Sequence, residues 1–172
     1  MNVTGAGCLF WNEQFVLAGY QPRKQKPVLS GLGGKREADE EVHTTALRET
    51  IEELFELQTV PLEWIHQIQQ TIPYQDQLPS GDYISFLYSF DDLQKMLELL
   101  KKLGATSELY EDFPTNLLAL LFNRKTLAYP PEVSHLLLFP LVNHPKEAPF
   151  VAKHFLGDIR LLLAKPRGSV GS

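Results

Sequence analysis

Residues 34–57 read GKREADEEVHTTALRETIEELFEL and constrain the fold more than any other stretch. Val42, Ala46, Thr50, Leu54 and Leu57 form a seam spaced by fours and a three, flanked by Leu47 and Ile51. That period predicts a helix from about Asp39 to Gln58. A helix with one apolar stripe must bury it against another layer. Glu49, Glu52 and Glu53 stand at i, i+3 and i+4, so they share one face, largely away from the seam. The expected picture is a helix packed on a sheet with its acids presented to solvent. Like charges at i, i+4 repel and weaken a helix. A chain that keeps such a trio has a use for concentrated negative charge, most commonly a divalent cation.

Charge is distributed as unevenly around this helix as within it. Residues 23–36 hold Arg23, Lys24, Lys26, Lys35 and Arg36 and no acid. Residues 37–56 hold Glu37, Asp39, Glu40, Glu41, Glu49, Glu52, Glu53 and Glu56 against one base, Arg48. A basic loop feeding an acidic helix suits a metal-complexed polyphosphate, though a solvated loop and a solvated helix face would look the same. The net charge of −5 argues against broad nucleic-acid binding. With 172 residues, 44% apolar and 22% charged, the chain reads as one globular domain, residues 1–166. An insertion is expected at about 91–134, and a flexible Gly/Ser-rich tail at 167–172. No apolar run reaches the roughly 18 residues that cross a bilayer. The N-terminus lacks a signal-peptide pattern, and Cys8 is the sole cysteine, which fits a reducing, cytoplasmic setting.

Around the acidic helix, residues 8–11 and 15–20 read as a hairpin, followed by an irregular loop from Gln21 to Leu32. The spacing predicts strands over Ile65–Pro73 and Asp82–Phe90, joined by a long loop through Pro79-Ser80-Gly81. Asp91 should cap a helix to about Leu103, and Thr115 a short helix to Arg124. His135–Val142 should be a strand and Pro149–Lys165 the last helix.

Gly34, Glu40, Arg48, Glu49, Glu52 and Glu53 resemble the signature of the Nudix hydrolases: Gly, five residues, Glu, seven residues, Arg-Glu, an apolar residue, any residue, Glu-Glu. The end of the pattern departs, with Thr50 for an apolar residue, Phe55 for the terminal Gly and Glu56 for the last apolar position. Without the Gly stop, the helix is expected to run on a turn and to end before Pro61. The resemblance implies an α/β fold, a Nudix-like α/β/α sandwich with a mixed β-sheet. It implies hydrolysis of the pyrophosphate bond of a nucleoside diphosphate linked to another group, with Mg2+ or Mn2+ as cofactor. By resemblance, Glu49 and Glu53 are the principal metal ligands and Glu52 a third or water-mediated one. Arg48 then pairs with Glu40 and fixes the loop against the helix.

Such a reaction needs cations, because the phosphoanhydride's own charge repels incoming water. Lys35, directly after Gly34, is the best-placed phosphate-binding side chain, and Arg23 is next. The general base stays open between Glu52 and the acids of the loop 105–114, Glu108, Glu111 and Asp112, with Glu111 the candidate carried forward. His43, His66, His135, His144 and His154 show no ligand spacing and read as ordinary. Trp11, Tyr20, Tyr83 and Phe86 could stack on a base, but packing is the preferred role for each. The expected partner is a small nucleotide-like diphosphate, with capped RNA and a homodimer as further readings and no membrane. The alternatives are removal of an mRNA cap by the same chemistry, or a non-catalytic Nudix-fold module that binds a nucleotide or a protein.

Overall fold

Near-continuous burial along the central strands, with successive side chains entering different cores, shows how the chain divides its apolar residues between two layers. In the computed structural model, which describes residues 2–142 and 149–166, β1 is Gly5–Trp11, β2 Phe15–Gln21, β3 Val28–Ser30 and β4 Leu32–Lys35. After helices α1 (Val42–Phe55) and α2 (Leu62–Thr71) come β5 (Asp76–Ser80) and β6 (Tyr83–Ser89). Helices α3 (Phe90–Lys102) and α4 (Leu117–Phe122), strand β7 (His135–Pro140) and helix α5 (Lys153–Leu163) complete the described elements. Ala6, Cys8 and Phe10 of β1 face a core shared with α1 to α4. Leu9 and Trp11 face the opposite core, under Phe155, Ile159 and Leu162 of α5. The period-2 alternation thus builds an α/β/α sandwich.

The described strands make one sheet ordered β3-β2-β1-β6-β5, with β4 also pairing β1 and β7 pairing β2. β1 and β6 run parallel, and the other pairs are antiparallel. β1 divides its neighbours: Gly5 to Cys8 pair with β4, whereas Trp11 pairs with Val16 of β2. The sequence's Gly-Gly turn is therefore a strand: Gly33 and Gly34 lie within β4, paired with Gly7 and Ala6 of β1 and beside α1. Among the described residues no helix is long and apolar enough to cross a membrane.

Several local expectations are corrected. Ile65–Pro73 is not a strand; it falls largely within α2, because Ile65, Ile68 and Ile72 are spaced three and four apart and all three are buried. The expected long loop between strands is a tight turn at Gly81, with φ 61°. Ser89, not Asp91, caps α3 through a reciprocal box with Asp92. Asn116, not Thr115, caps α4. The loop 21–32 is partly ordered as β3, and the tail at 167–172 lies outside the described residues.

Helix α1 also ends earlier than expected. Glu56 adopts a left-handed conformation, φ 50° and ψ 49°, with its N–H on the Glu52 carbonyl. The helix therefore stops where a Gly usually stops one, at the cost of a strained non-Gly residue. Phe55, in the position of the family's Gly, is 1% exposed and packs on Phe113 and Tyr110, with ring centroids 4.5 and 5.8 Å away. It anchors residues 105–113 to the end of α1, and Ser107 donates to its carbonyl.

Candidate active site

The site grows from the contact between Gly33-Gly34 of β4 and α1. A Cβ at Gly33 would collide with the Tyr83 hydroxyl and the Ala6 carbonyl, and one at Gly34 would collide with the Glu49 carboxylate. Only glycine lets the strand lie this close to the acidic helix. The Gly33 N–H then donates to one carboxylate oxygen of Glu53 at 2.6 Å, and Gln21 Nε2 to the other at 3.3 Å.

Glu53 contradicts the expectation of a solvent-facing trio, for it is 3% exposed. Burial pushes its carboxyl up to about 8, against the Gly33 hydrogen bond. The negative charges of Glu132 and Glu49 add to the rise, and Lys24 opposes it. No ion pair to Glu53 is formed among the described residues. Glu49 and Glu52 instead meet the Arg48 guanidinium at 2.9 and 3.2 Å. Burial also raises the Glu52 carboxyl, although Arg48 opposes it.

Arg48 grips Glu40 bidentately, at 2.8 and 3.0 Å, and donates to the Lys35 carbonyl at 3.0 Å. Burial alone would raise the Glu40 carboxyl, but hydrogen bonds from Arg48 and Thr45 outweigh it and hold it at about 2. Arg36 donates to the Glu40 and Val3 carbonyls. The loop between β4 and α1 is thereby tied at both ends, and Arg48 links it to the carboxylates of the helix.

No three Asp, Glu, His or Cys side chains among the described residues converge into a finished metal cage. The donors nevertheless fit a hard divalent cation. All are oxygens, and two of the three carboxylates are held only by a guanidinium. The third is buried, with neutral hydrogen-bond donors and no counter-charge of its own.

A cleft of about 610 Å³ opens beside these acids. Thr4, Gly34, Lys35, Glu49, Gln21, Lys24 and Glu132 line it together with Val28, Ser30, Tyr83, Ala152 and His154. Of the residues singled out in the sequence, Gly34, Lys35 and Glu49 reach the cleft wall, and Glu53 lies directly behind Gly33. Arg23 sits further out, in a mouth shared with Gln21, Lys24, Glu56 and Glu132, its guanidinium 5.0 Å from the Tyr129 ring centroid.

Glu111 is exposed on the loop packed under Phe55 and lines neither the cleft nor its mouth. Glu132 comes to the cleft instead, positioned by a hydrogen bond from its N–H to the Glu56 carboxylate. His154 also lines the cleft and pairs with Ser30 at 3.1 Å. Trp11 and Phe86 are core residues, as preferred, whereas Tyr83 packs on Gly33 and also faces the cleft. Gln21, Ser30, Glu132 and His154 carry no local motif. Their place depends on β7 pairing with β2 and on Leu29 bridging Val151.

A solved structure titled "Crystal structure of a hydrolase, NUDIX family from Clostridium perfringens" is similar at 12% identity, covering 95% of this chain and 97% of that one, with a TM-score of 0.38. No curated protein matches the chain. A model of the NUDIX domain matches residues 1–125, well over half of the 172 and inclusive of β1 to α4. With Gly33-Gly34 of β4, the Arg48 clamp and the acidic helix all inside that match, the chain belongs to the Nudix family and is a Nudix-type pyrophosphohydrolase.

Proposed function

We propose that the protein hydrolyses the pyrophosphate bond of a nucleoside diphosphate linked to another group, with Mg2+ or Mn2+ as cofactor. The observation that carries this reading is Glu53: a buried carboxyl without an ion-pair partner, raised to about 8, beside a cleft that also holds Glu49, Lys24 and Lys35. Glu49, Glu52 and Glu53 would hold the cation, with Arg48 giving up its hold on Glu49 and Glu52. When bound, such an ion neutralises phosphate charge and lowers the pKa of a coordinated water.

The chain's own groups supply the rest. Lys35 and Lys24 offer cationic donors to phosphate oxygens, and Arg23 extends that field to the mouth. Gly34, on the cleft wall, leaves room for the Glu49 carboxylate to pack against β4 at the edge of the substrate site. Arg48 and Glu40 keep the loop in register with the helix, so their role is orientation. Glu132, rather than Glu111, is our candidate general base, with Glu52 as its competitor. We take residues 1–166 as one domain with an insertion at 91–134, because Leu97, Leu109, Phe113 and Leu120 join the same core as β1 and α1.

The test is a hydrolysis panel with Mg2+ and Mn2+, comparing wild type, Glu53→Gln and Glu132→Gln. The substrates are nucleoside triphosphates, ADP-ribose, diadenosine polyphosphates, diphosphoinositol phosphates and capped RNA. Turnover should require the metal and fall by about 10³-fold or more in Glu53→Gln, equivalent to roughly 4 kcal/mol of barrier. A fully active Glu53→Gln would end the metal assignment. Capped RNA as best substrate, with a steep loss of activity as salt rises, would favour decapping.

A further inference from the structure

The cleft is chemically divided. Glu53 senses the charges of Glu132, Glu49 and Lys24, so the ionic groups cluster around it. The uncharged lining residues Val28, Ser30, Tyr83, Ala152 and His154 form a second group, joined by the Ser30–His154 hydrogen bond and the Tyr83–His154 ring contact. Tyr83 spans the two groups: its hydroxyl packs on Gly33, and its ring lies 6.0 Å from the His154 ring, centroid to centroid. None of the five carries a formal charge at neutral pH, because removal from water lowers the His154 pKa. The cleft volume of about 610 Å³ lies within the range that holds a nucleotide-sized ligand.

This uncharged end is built, not incidental. Leu29 N–H donates to the Phe150 carbonyl at 2.7 Å, and Ala152 N–H donates back to the Leu29 carbonyl at 2.9 Å. The pair laces β3 to the start of α5. Leu29 then points to the α5 core, while its neighbours Val28 and Ser30 line the cleft. Ser30 Oγ holds His154 Nε2 at 3.1 Å, and Nδ1 makes no hydrogen bond among the described residues. A neutral imidazole fixed through one nitrogen has the other free to donate to or accept from a ligand. Ala152 and His154 both lie beyond residues 1–125, the stretch that the NUDIX domain model matches.

We propose that His154, held by Ser30, is a specificity-determining residue that hydrogen-bonds the nucleoside of the substrate while the diphosphate lies at the ionic end. The substrate class is then a nucleoside diphosphate derivative and not a diphosphoinositol phosphate, whose phosphates would require cations at both ends. This rests on the hydrolase reading above.

The test uses the full chain with Mg2+ and compares wild type, His154→Ala, His154→Gln and Ser30→Ala. Steady-state kinetics are run on the best nucleoside diphosphate substrate and on a diphosphoinositol phosphate. Inorganic tripolyphosphate, which lacks a nucleoside, serves as competitive inhibitor. His154→Ala should raise KM about tenfold with kcat little changed, the loss of one ligand hydrogen bond, and leave the tripolyphosphate Ki within twofold. His154→Gln should recover part of the KM, and Ser30→Ala should raise it about threefold. An unchanged KM in both His154→Ala and Ser30→Ala overturns the inference. So does an equal rise in KM and Ki, or a diphosphoinositol phosphate as best wild-type substrate. A wild type that hydrolyses none of the panel, or a Glu53→Gln variant as active as wild type, overturns the hydrolase reading itself and this inference with it.

Discussion

A carboxyl that is 3% exposed and raised to about 8 should couple the protein's stability to pH. The ordinary value for this group is 4.5, so between about 4.5 and 8 the unfolded chain loses the Glu53 proton while the folded chain keeps it. The folded state binds more protons in that window, and stability falls as pH rises through it. Glu53→Gln removes that slope. The variant should melt close to wild type at pH 5 and higher than wild type at pH 8 without metal, by on the order of 3 kcal/mol. Melting curves across pH test this, and a gap that does not grow with pH would show that Glu53 is solvated.

At the scale of elements, the end of α1 explains two departures from the family pattern. Phe55 fills the Gly position because it anchors the 105–113 segment through Phe113 and Tyr110. Glu56 then has to take the left-handed conformation one residue later. Arg124 reinforces this junction, donating to the carbonyls of Glu53, Leu54 and Val133, so the end of α1 and the loop bearing Glu132 share one guanidinium. Phe55→Ala should cost about 3–5 kcal/mol by opening a cavity under that junction. Glu56→Gly should stabilise by up to about 1 kcal/mol by relieving the backbone, offset in part by the lost bond to the Glu132 N–H. Denaturant melts of the two variants check both signs. A stabilised Phe55→Ala would mean the ring is not part of the packing.

For the whole molecule, ion binding and proton release are linked. Glu53 must ionise to ligate a cation, so affinity for Mg2+ should weaken as pH falls below about 8, by up to tenfold per unit. Saturating Mg2+ should raise the melting temperature more at pH 8.5 than at pH 6. Chelation should abolish both that rise and turnover, and Glu53→Gln should blunt the rise. Equal stabilisation by Mg2+ at both pH values would dissociate the ion from Glu53. On the proposed reading, uptake of the ion should also withdraw Glu49 and Glu52 from Arg48, whose bonds to Glu40 and the Lys35 carbonyl would keep the guanidinium in place.

The acidic helix and its apolar seam could be read from local spacing, and the Arg48–Glu40 pairing from the family resemblance, because each depends on residues close in sequence; the expected Gly turn is instead part of β4. Strands β1, β2 and β6 were legible for the same reason, from a polar hairpin turn and from aromatic and β-branched content. Short-range periodicity failed where it was ambiguous: β-branched Ile65 and Ile68 suggested a strand, yet their spacing suits one face of α2. It also could not tell that Glu53, alone of the trio, turns inward, since that follows from how closely glycine lets β4 approach α1. Much of the cleft lining was decided by tertiary structure only. Gln21, Ser30, Glu132 and His154 are separated by up to 133 residues in sequence, and only sheet pairing and the lacing of β3 to α5 bring them together.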